Sequence, residues 1–301
     1  MTSFDSPVPS APGPRPTDAE IDTFGLTHAG TVRPNNQDHF LIGQLREQID
    51  VHSTSLPDVA SLSLPDARLM PPGMVRMAFL MMVADGVGGG RGGEEASRFT
   101  VQAITRYVAE SIDSYYGSET GDHEALSRAL SDAALHCHAD LIRHRGGARE
   151  FSQMATTLTM FVGVWPWAYL VQLGDSRYYL LRKGELFQVS RDQTLAQELI
   201  DEGAISREVG VRTRWSNVLS SALGGSTAKP VVTRIALDRG DVHLLCSDGL
   251  TKHVSDEQIG ERLRTLTSAD QACHELLQDA LEDGGSDNVT IIVGRIRPAV
   301  S

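Results

Sequence analysis

Five aspartates of this 301-residue chain stand where an apolar segment begins or ends. Asp85, Asp175 and Asp248 each close such a segment, and Asp38 and Asp287 each precede one. In an antiparallel sheet the C-terminal end of one strand lies beside the N-terminal end of its neighbour, so these five carboxylates can gather at one rim. Like charges that close together cannot all stay ionised without a cation. Oxygen ligands with no His or Cys among them favour a hard ion, Mg²⁺ or Mn²⁺. Two such ions roughly 3.5–4 Å apart can share a hydroxide and clamp a phosphoryl group for in-line displacement. A single Asp-Gly, taken alone, is an ordinary turn dipeptide. Five strand-end aspartates, with glycine directly after Asp85 and Asp248, point instead to a two-metal hydrolase acting on phosphate.

The elements that would position them can be read from periodicity. Met77 to Ala84 is a continuous apolar run that stops at Asp85-Gly86, the pattern of a strand buried on both faces. Five more glycines follow between Gly88 and Gly93, where backbone must come close to something else. Val242–Cys246 is a second buried strand, ending in Ser247-Asp248-Gly249. Thr156–Val164 and Ala168–Leu173 flank Trp165-Pro166-Trp167 as a hairpin whose second arm runs into Gly174-Asp175. Asp287 leads into a last strand, Val289–Ile296. At the start, Ile21–Thr27 and Phe40–Ile42 read as a hairpin-like pair joined by the polar loop that carries Arg33.

Apolar residues at three- and four-residue spacing predict helices over Glu94–Ile112 and Glu124–His144. A short helix is expected over Leu195–Asp201, and two more start at the capping-box sequences of Ser255 and Ser268. Helices in pairs between runs of strands argue against a parallel βαβ sheet and for an α+β fold of antiparallel sheets with helices outside. Residues 1–20, rich in proline, read as a disordered arm, and 21–298 as one domain. That domain includes a long loop at 44–73, without a functional reading, and a flap-like subdomain at 192–229.

Composition narrows the function classes. With 27 basic against 39 acidic side chains, the net charge of −12 argues against a general nucleic-acid binder. No apolar run reaches the roughly 20 residues needed to span a bilayer, and the N-terminal residues lack a hydrophobic signal core, so the expected compartment is the cytoplasm. Cys137, Cys246 and Cys273 are too few and scattered for a disulfide framework or a zinc site. His136-Cys137-His138 looks metal-like, but neighbours in sequence on a helix point in different directions.

Six segments, in order across nearly all of residues 22–297, carry a family resemblance. They are Arg33-Pro34-Asn35-Asn36-Gln37-Asp38, Val83-Ala84-Asp85-Gly86-Val87-Gly88-Gly89 and Met154-Ala155-Thr156-Thr157-Leu158. Leu173-Gly174-Asp175-Ser176-Arg177, Cys246-Ser247-Asp248-Gly249-Leu250 and Asp287-Asn288-Val289-Thr290 complete the set. With them the chain resembles the bacterial metal-dependent protein serine/threonine phosphatases of the 2C type. The resemblance implies a four-layer α-β-β-α sandwich with metals at one end of the central sheets. It implies that Asp85 bridges two Mn²⁺ or Mg²⁺ ions and that the Gly86 carbonyl binds the second. Asp248 and Asp287 would complete the first, Asp38 would hold the second through water, and Asp175 with Asp248 would bind a third, more labile ion. Arg33 would grip the substrate phosphate, a role that suits a bidentate guanidinium. The implied reaction is hydrolysis of phosphoserine and phosphothreonine in proteins, releasing inorganic phosphate. Phosphorylated proteins, a Ser/Thr kinase or its targets among them, are the implied partners of a monomer.

Three departures from the family pattern bear on mechanism. Gln37 stands where Glu is frequent, Val87 where eukaryotic members carry a proposed acid His, and Asp192-Gln193 where many relatives have Asp-His. With Val87 in place, leaving-group protonation falls to water or another residue, with His39 the weak side-chain candidate. Two rival readings remain: a catalytically silent phosphatase fold used as a binding module, and a dinucleotide-binding oxidoreductase. The second rests on Gly88-Gly89-Gly90-Arg91-Gly92-Gly93 between a strand and a helix, with Glu110 and Asp113 about 20 residues on.

Overall fold

The computed structural model describes residues 13–46, 49–58, 78–88, 91–117, 122–144 and 154–297. β1 (Ile21–His28) lies at one edge of a five-stranded sheet and pairs with the last strand, β12 (Val289–Ile296). That sheet continues through β11 (Val242–Cys246), β8 (Arg177–Arg182) and β9 (Glu185–Gln188). The second sheet runs β10 (Val231–Ala236), β7 (Trp167–Leu173), β6 (Leu158–Val164), β4 (Ala78–Val87), β2 (Asp38–Leu45) and β3 (Ile49–Thr54). A two-residue strand, β5 (Ala155–Thr156), adds to the end of β4. The named pairings are all antiparallel, which removes the parallel βαβ unit that the dinucleotide reading requires.

β4 shows how an apolar run becomes the middle of four layers. Leu80, Met82 and Ala84 face α1 (Arg91–Gly117) and α2 (His123–His144), packing with Ile104, Val108 and Leu126. Phe79, Met81 and Val83 face the other sheet, packing with Tyr178, Leu245 and Ile292. Successive side chains leave opposite faces of a strand, so a strand covered on both sides reads as unbroken apolar sequence. The five-stranded sheet is covered on its outer face by α6 (Asp256–Thr265) and α7 (Ala269–Glu282), through Ile259, Leu263 and Leu276. The result is the expected α-β-β-α sandwich. Ser255 and Ser268 each accept from the backbone N–H three residues on, so both helices start where the sequence places them.

Three expectations need correction. β1 and β2 do not form a hairpin: β1 belongs to the five-stranded sheet and β2 pairs with β3 and β4. Their connecting loop crosses between the sheets, because β12 arrives from the other end of the chain and takes the place beside β1. The stretch expected as a loop from residue 44 instead finishes β2 and forms β3, whose alternation (Ile49, Val51) spans only six residues; residues 47–48 and 59–73 of that loop lie outside the described residues. In the arm expected to be disordered, residues 13–20 are tied down: Trp165 donates to the Gly13 carbonyl and Arg239 to that of Pro14. Asp18–Glu20 form a 3-10 turn, and Arg239 pairs with Glu20 at 2.5 Å. Residues 1–12 of the arm, together with Met77, Gly89 and Gly90, are likewise outside the described residues.

Among the described residues no helix is long and apolar enough to cross a membrane. The three cysteines are free and buried. On α2, Cys137 faces the core, whereas Nδ1 of His138 receives the Gly224 N–H and His136 lies by the Tyr107 ring.

Candidate metal centre and phosphate cleft

The register of β2 against β4 brings the first two carboxylates together: Asp38 is the ladder partner of Asp85. Alternation then sends Asp38 into the space between the sheets and His39 toward α1, where its Nδ1 meets the Ser97 hydroxyl at 2.9 Å. His39 is buried away from the cleft, and burial first, then the charge of Arg98, lowers its pKa to about 4. It is not placed to protonate a leaving group.

A cleft of about 210 Å³ opens at this rim, bordered by Asp85, Gly86, Asp175, Asp248 and Asp287, with Arg33 and Lys252 beside them. Asp38, the ladder partner of Asp85, lies behind this lining as a buried carboxylate: Oδ2 accepts from the Thr290 hydroxyl at 2.7 Å, and Oδ1 has no hydrogen-bond partner among the described residues. Loss of solvation, chiefly, raises the Asp38 pKa to about 6. Asp85 is held well above the usual carboxylate range by burial and then by Asp38, Asp248, Asp175 and Asp287. Asp175 is raised by burial and by Asp248, and Asp248 by burial against the opposing charge of Lys252. Asp287 is the exception: burial would raise its pKa, but Arg33 and Lys252 together outweigh it and lower it.

Each carboxylate is positioned by its surroundings. The Asp85 N–H donates to the Thr157 hydroxyl, and the Asp85 carbonyl accepts from the Thr157 N–H and the Thr156 hydroxyl. Gly86 is pressed against Gly93 and Gln37: an added Cβ would lie 2.3 Å from the Gly93 carbonyl oxygen and 2.7 Å from that of Gln37. Only glycine lets the strand end, the helix start and the Arg33 loop meet there, so Gly93 serves packing rather than a nucleotide. Gly249, after Asp248, is as tight, with an added Cβ 1.9 Å from the Asn288 carbonyl oxygen. Gln193 anchors the backbone beside Asp175, its Oε1 accepting from the Gly174 N–H and its amide donating to the Lys229 carbonyl. Asp192 pairs with Arg177 at 2.7 Å.

Arg33 sits half-exposed at the mouth, with Nε 2.8 Å from Asp287 Oδ1 and a terminal nitrogen 3.0 Å from Oδ2. Sequence reasoning gave no role to Asn288 or Lys252. The Asn288 amide donates to the carbonyls of Ala29 and Asn35 and accepts from the Gln37 N–H, tying the Arg33 loop to β12. Lys252 lies 2.6 Å from Asp248 and 2.8 Å from Asp287. Its signal was available: it follows Asp248 by four residues within a helical turn, α5 (Asp248–Thr251) and its cap.

The donor set suits hard divalent ions. It is all oxygen, strongly anionic, and includes a buried carboxylate oxygen, Asp38 Oδ1, to which none of the described residues donates. Among the described residues no three His, Cys, Asp or Glu side chains form a closed ligand cluster; Asp248 and Asp287 are engaged with Lys252 and Arg33.

Known proteins share this sequence and architecture. Residues 75–284, more than half of the chain, match the protein phosphatase 2C family. The serine/threonine protein phosphatase PstP of Mycobacterium tuberculosis is 36% identical over 219 residues, covering 73% of this chain; the match spans 40% of that protein's length. The serine/threonine phosphatase stp of Listeria monocytogenes is 28% identical over 215 residues, 71% of this chain and 83% of that one. The crystal structure of the PstP catalytic domain in complex with two manganese ions superposes with a TM-score of 0.64 at 28% identity, covering 92% of this chain and 99% of that one. With the sandwich, the aspartate rim and the family match over residues 75–284 in agreement, this chain belongs to the protein phosphatase 2C family.

Proposed function

We propose that this protein is a metal-dependent phosphatase that hydrolyses phosphoserine and phosphothreonine in proteins. The observation that carries the reading is the Asp38–Asp85 pair beside the cleft, with one carboxylate oxygen of Asp38 buried and without a hydrogen-bond partner among the described residues. Asp38, Asp85, the Gly86 carbonyl, Asp248 and Asp287 would hold two divalent ions, manganese by the precedent of the PstP catalytic domain. Asp175 with Asp248 would take a third. When bound, such ions lower the pKa of a coordinated water and neutralise charge building on the phosphoryl group.

The chain's own contribution is binding and orientation. Arg33 presents two N–H groups to one carboxylate, the fork that also fits two phosphate oxygens. Asn288 and the Gly86–Gly93 contact fix the loop from which Arg33 reaches. Thr156 and Thr157 hold the Asp85 backbone, which orients the central carboxylate from behind. Phosphoprotein substrates, a Ser/Thr kinase or its targets among them, and a monomeric state belong to the same reading.

The test is hydrolysis of p-nitrophenyl phosphate and of a phosphothreonine peptide with Mn²⁺, with and without chelator. Metal-dependent release of inorganic phosphate is expected from both. Activity that survives chelation, or none with Mn²⁺, would sink the reading.

A further inference from the structure

A second polar cavity, of about 320 Å³, opens beside the phosphate cleft and shares Asp175, Asn217, Asp248 and Lys252 with it. Its outer wall is the flap: α3 (Leu195–Asp201), α4 (Arg207–Arg212) and the 3-10 turn Arg214–Asn217. Four cations border it, Arg177, Arg191, Arg207 and Lys252. Three are occupied within the protein. Arg177 is clamped by Asp192 and by the Tyr179 hydroxyl, Lys252 bridges Asp248 and Asp287, and Arg191 pairs with Asp201. Arg207 is exposed and makes no ion pair among the described residues.

The second half of this wall is basic: from Ser206 to Asn217 three arginines (Arg207, Arg212 and Arg214) stand against one acid, Glu208, whereas α3 carries Glu198 and Asp201. Asp175, Asp192 and Asp248 also border the cavity, and of the three arginines Arg207 is the one that lines it. A free guanidinium over a wet cavity that is continuous with the phosphate cleft would meet whatever lies beside a phosphorylated side chain in an extended peptide.

Resting on the phosphatase reading above, we propose that the flap-side cavity is an anion subsite, in which Arg207 receives a second negatively charged group of the substrate. That group is a carboxylate or a second phosphate close in sequence to the phosphorylated residue. Arg191 lies on the same wall and can exchange Asp201 for the incoming anion.

The experiment compares kcat/KM for phosphothreonine peptides that differ only near the phosphorylated residue: Ala-flanked, Lys-flanked, Glu-flanked on either side, and phosphoserine-flanked. Wild-type protein with Mn²⁺ should favour an anionic flank by about fivefold over Ala, the upper range for a part-exposed ion pair. The preference should shrink as salt is raised toward about 0.5 M, which shortens the screening length. Arg207→Gln should bring the ratio close to one, chiefly through KM. Arg207→Glu should invert it toward a Lys-flanked peptide, an outcome that a merely structural role would not produce. A larger gain with the phosphoserine flank than with either Glu flank would identify phosphate as the preferred anion. Equal kcat/KM for all flanks in the wild type, or an unchanged ratio in both variants, overturns the proposal while hydrolysis of p-nitrophenyl phosphate stands. Absence of any Mn²⁺-dependent hydrolysis removes the phosphatase reading and this one with it.

Discussion

Asp38 and Asp85 are partners across the β2–β4 ladder, and the buried Oδ1 of Asp38 has no hydrogen-bond donor among the described residues. Two carboxylates at adjacent strand ends repel each other, Asp38 buried and Asp85 half-buried, so the pair is an electrostatic fault in the fold unless positive charge is supplied. The strands nevertheless hold them in register, because the apolar residues behind them (Phe40, Met81 and Val83) are locked in the inter-sheet core.

Asp85→Asn should therefore separate activity from stability. Turnover with Mn²⁺ is expected to fall on the order of 10²–10³-fold, the range for removing one electrostatic stabiliser of a transition state. In chelator, the same variant should melt at a higher temperature than the wild type, since a repelling charge has gone. A lower melting temperature in chelator would show that Asp85 is held by the fold rather than strained by it.

Arg33→Ala should raise KM about tenfold for phosphate esters while leaving kcat within about threefold, as expected for loss of a charge-assisted contact that is present on binding. Steady-state kinetics on p-nitrophenyl phosphate decides this. A pure kcat loss would contradict the binding role.

Lys252 contacts both Asp248 and Asp287, with a side chain about one-third exposed. A fixed ammonium against two proposed ligands competes with a cation for them. Lys252→Met should tighten Mn²⁺ binding by roughly tenfold, about 1.4 kcal/mol, in a calorimetric titration. Weaker binding would mean that Lys252 organises the carboxylates instead of opposing the metal.

His243 is buried between the sheets, with Nδ1 2.8 Å from the Tyr178 hydroxyl and its ring beside Phe161. Burial lowers its pKa to about 4, Asp241 partly opposing and Arg182 assisting. The folded value lies below the unfolded 6.5, so the unfolded chain binds more protons between those values. Stability should accordingly be lost as pH falls from about 6.5 to about 4, by about 3 kcal/mol from this residue. Urea denaturation across that range should show a smaller loss in His243→Gln than in wild type. Parallel curves would remove His243 as the cause.

How much of this was legible in the sequence differs from element to element. β11, β12 and α3 could be read to the residue, because a strand covered on both faces is an unbroken apolar run and a short helix carries its own cap at Thr194; β4, expected to stop at Ala84, runs on through Asp85 and Gly86 to Val87, where β5 pairs with it. The five aspartates were legible as a set because each sits at the edge of such a run, where a carboxylate has a local signature. Asn288 was not, since its importance lies in what it touches, the Arg33 loop more than 250 residues away in sequence, and Lys252 was legible only in its four-residue step from Asp248, its second partner Asp287 lying in another segment.

The sequence by itself determined the family, the chemistry of the candidate donor set and the type of most elements, β3 excepted, all of which depend on residue type and local period. Only the tertiary structure decided that β1 and β2 part into different sheets, with β12 returning to pair β1. Strand partners are chosen by register and by burial on both faces, properties of two segments together that neither carries alone. The same choice draws the Arg33 loop across the gap between the sheets, onto the rim where Asp38, Asp85 and Asp287 meet.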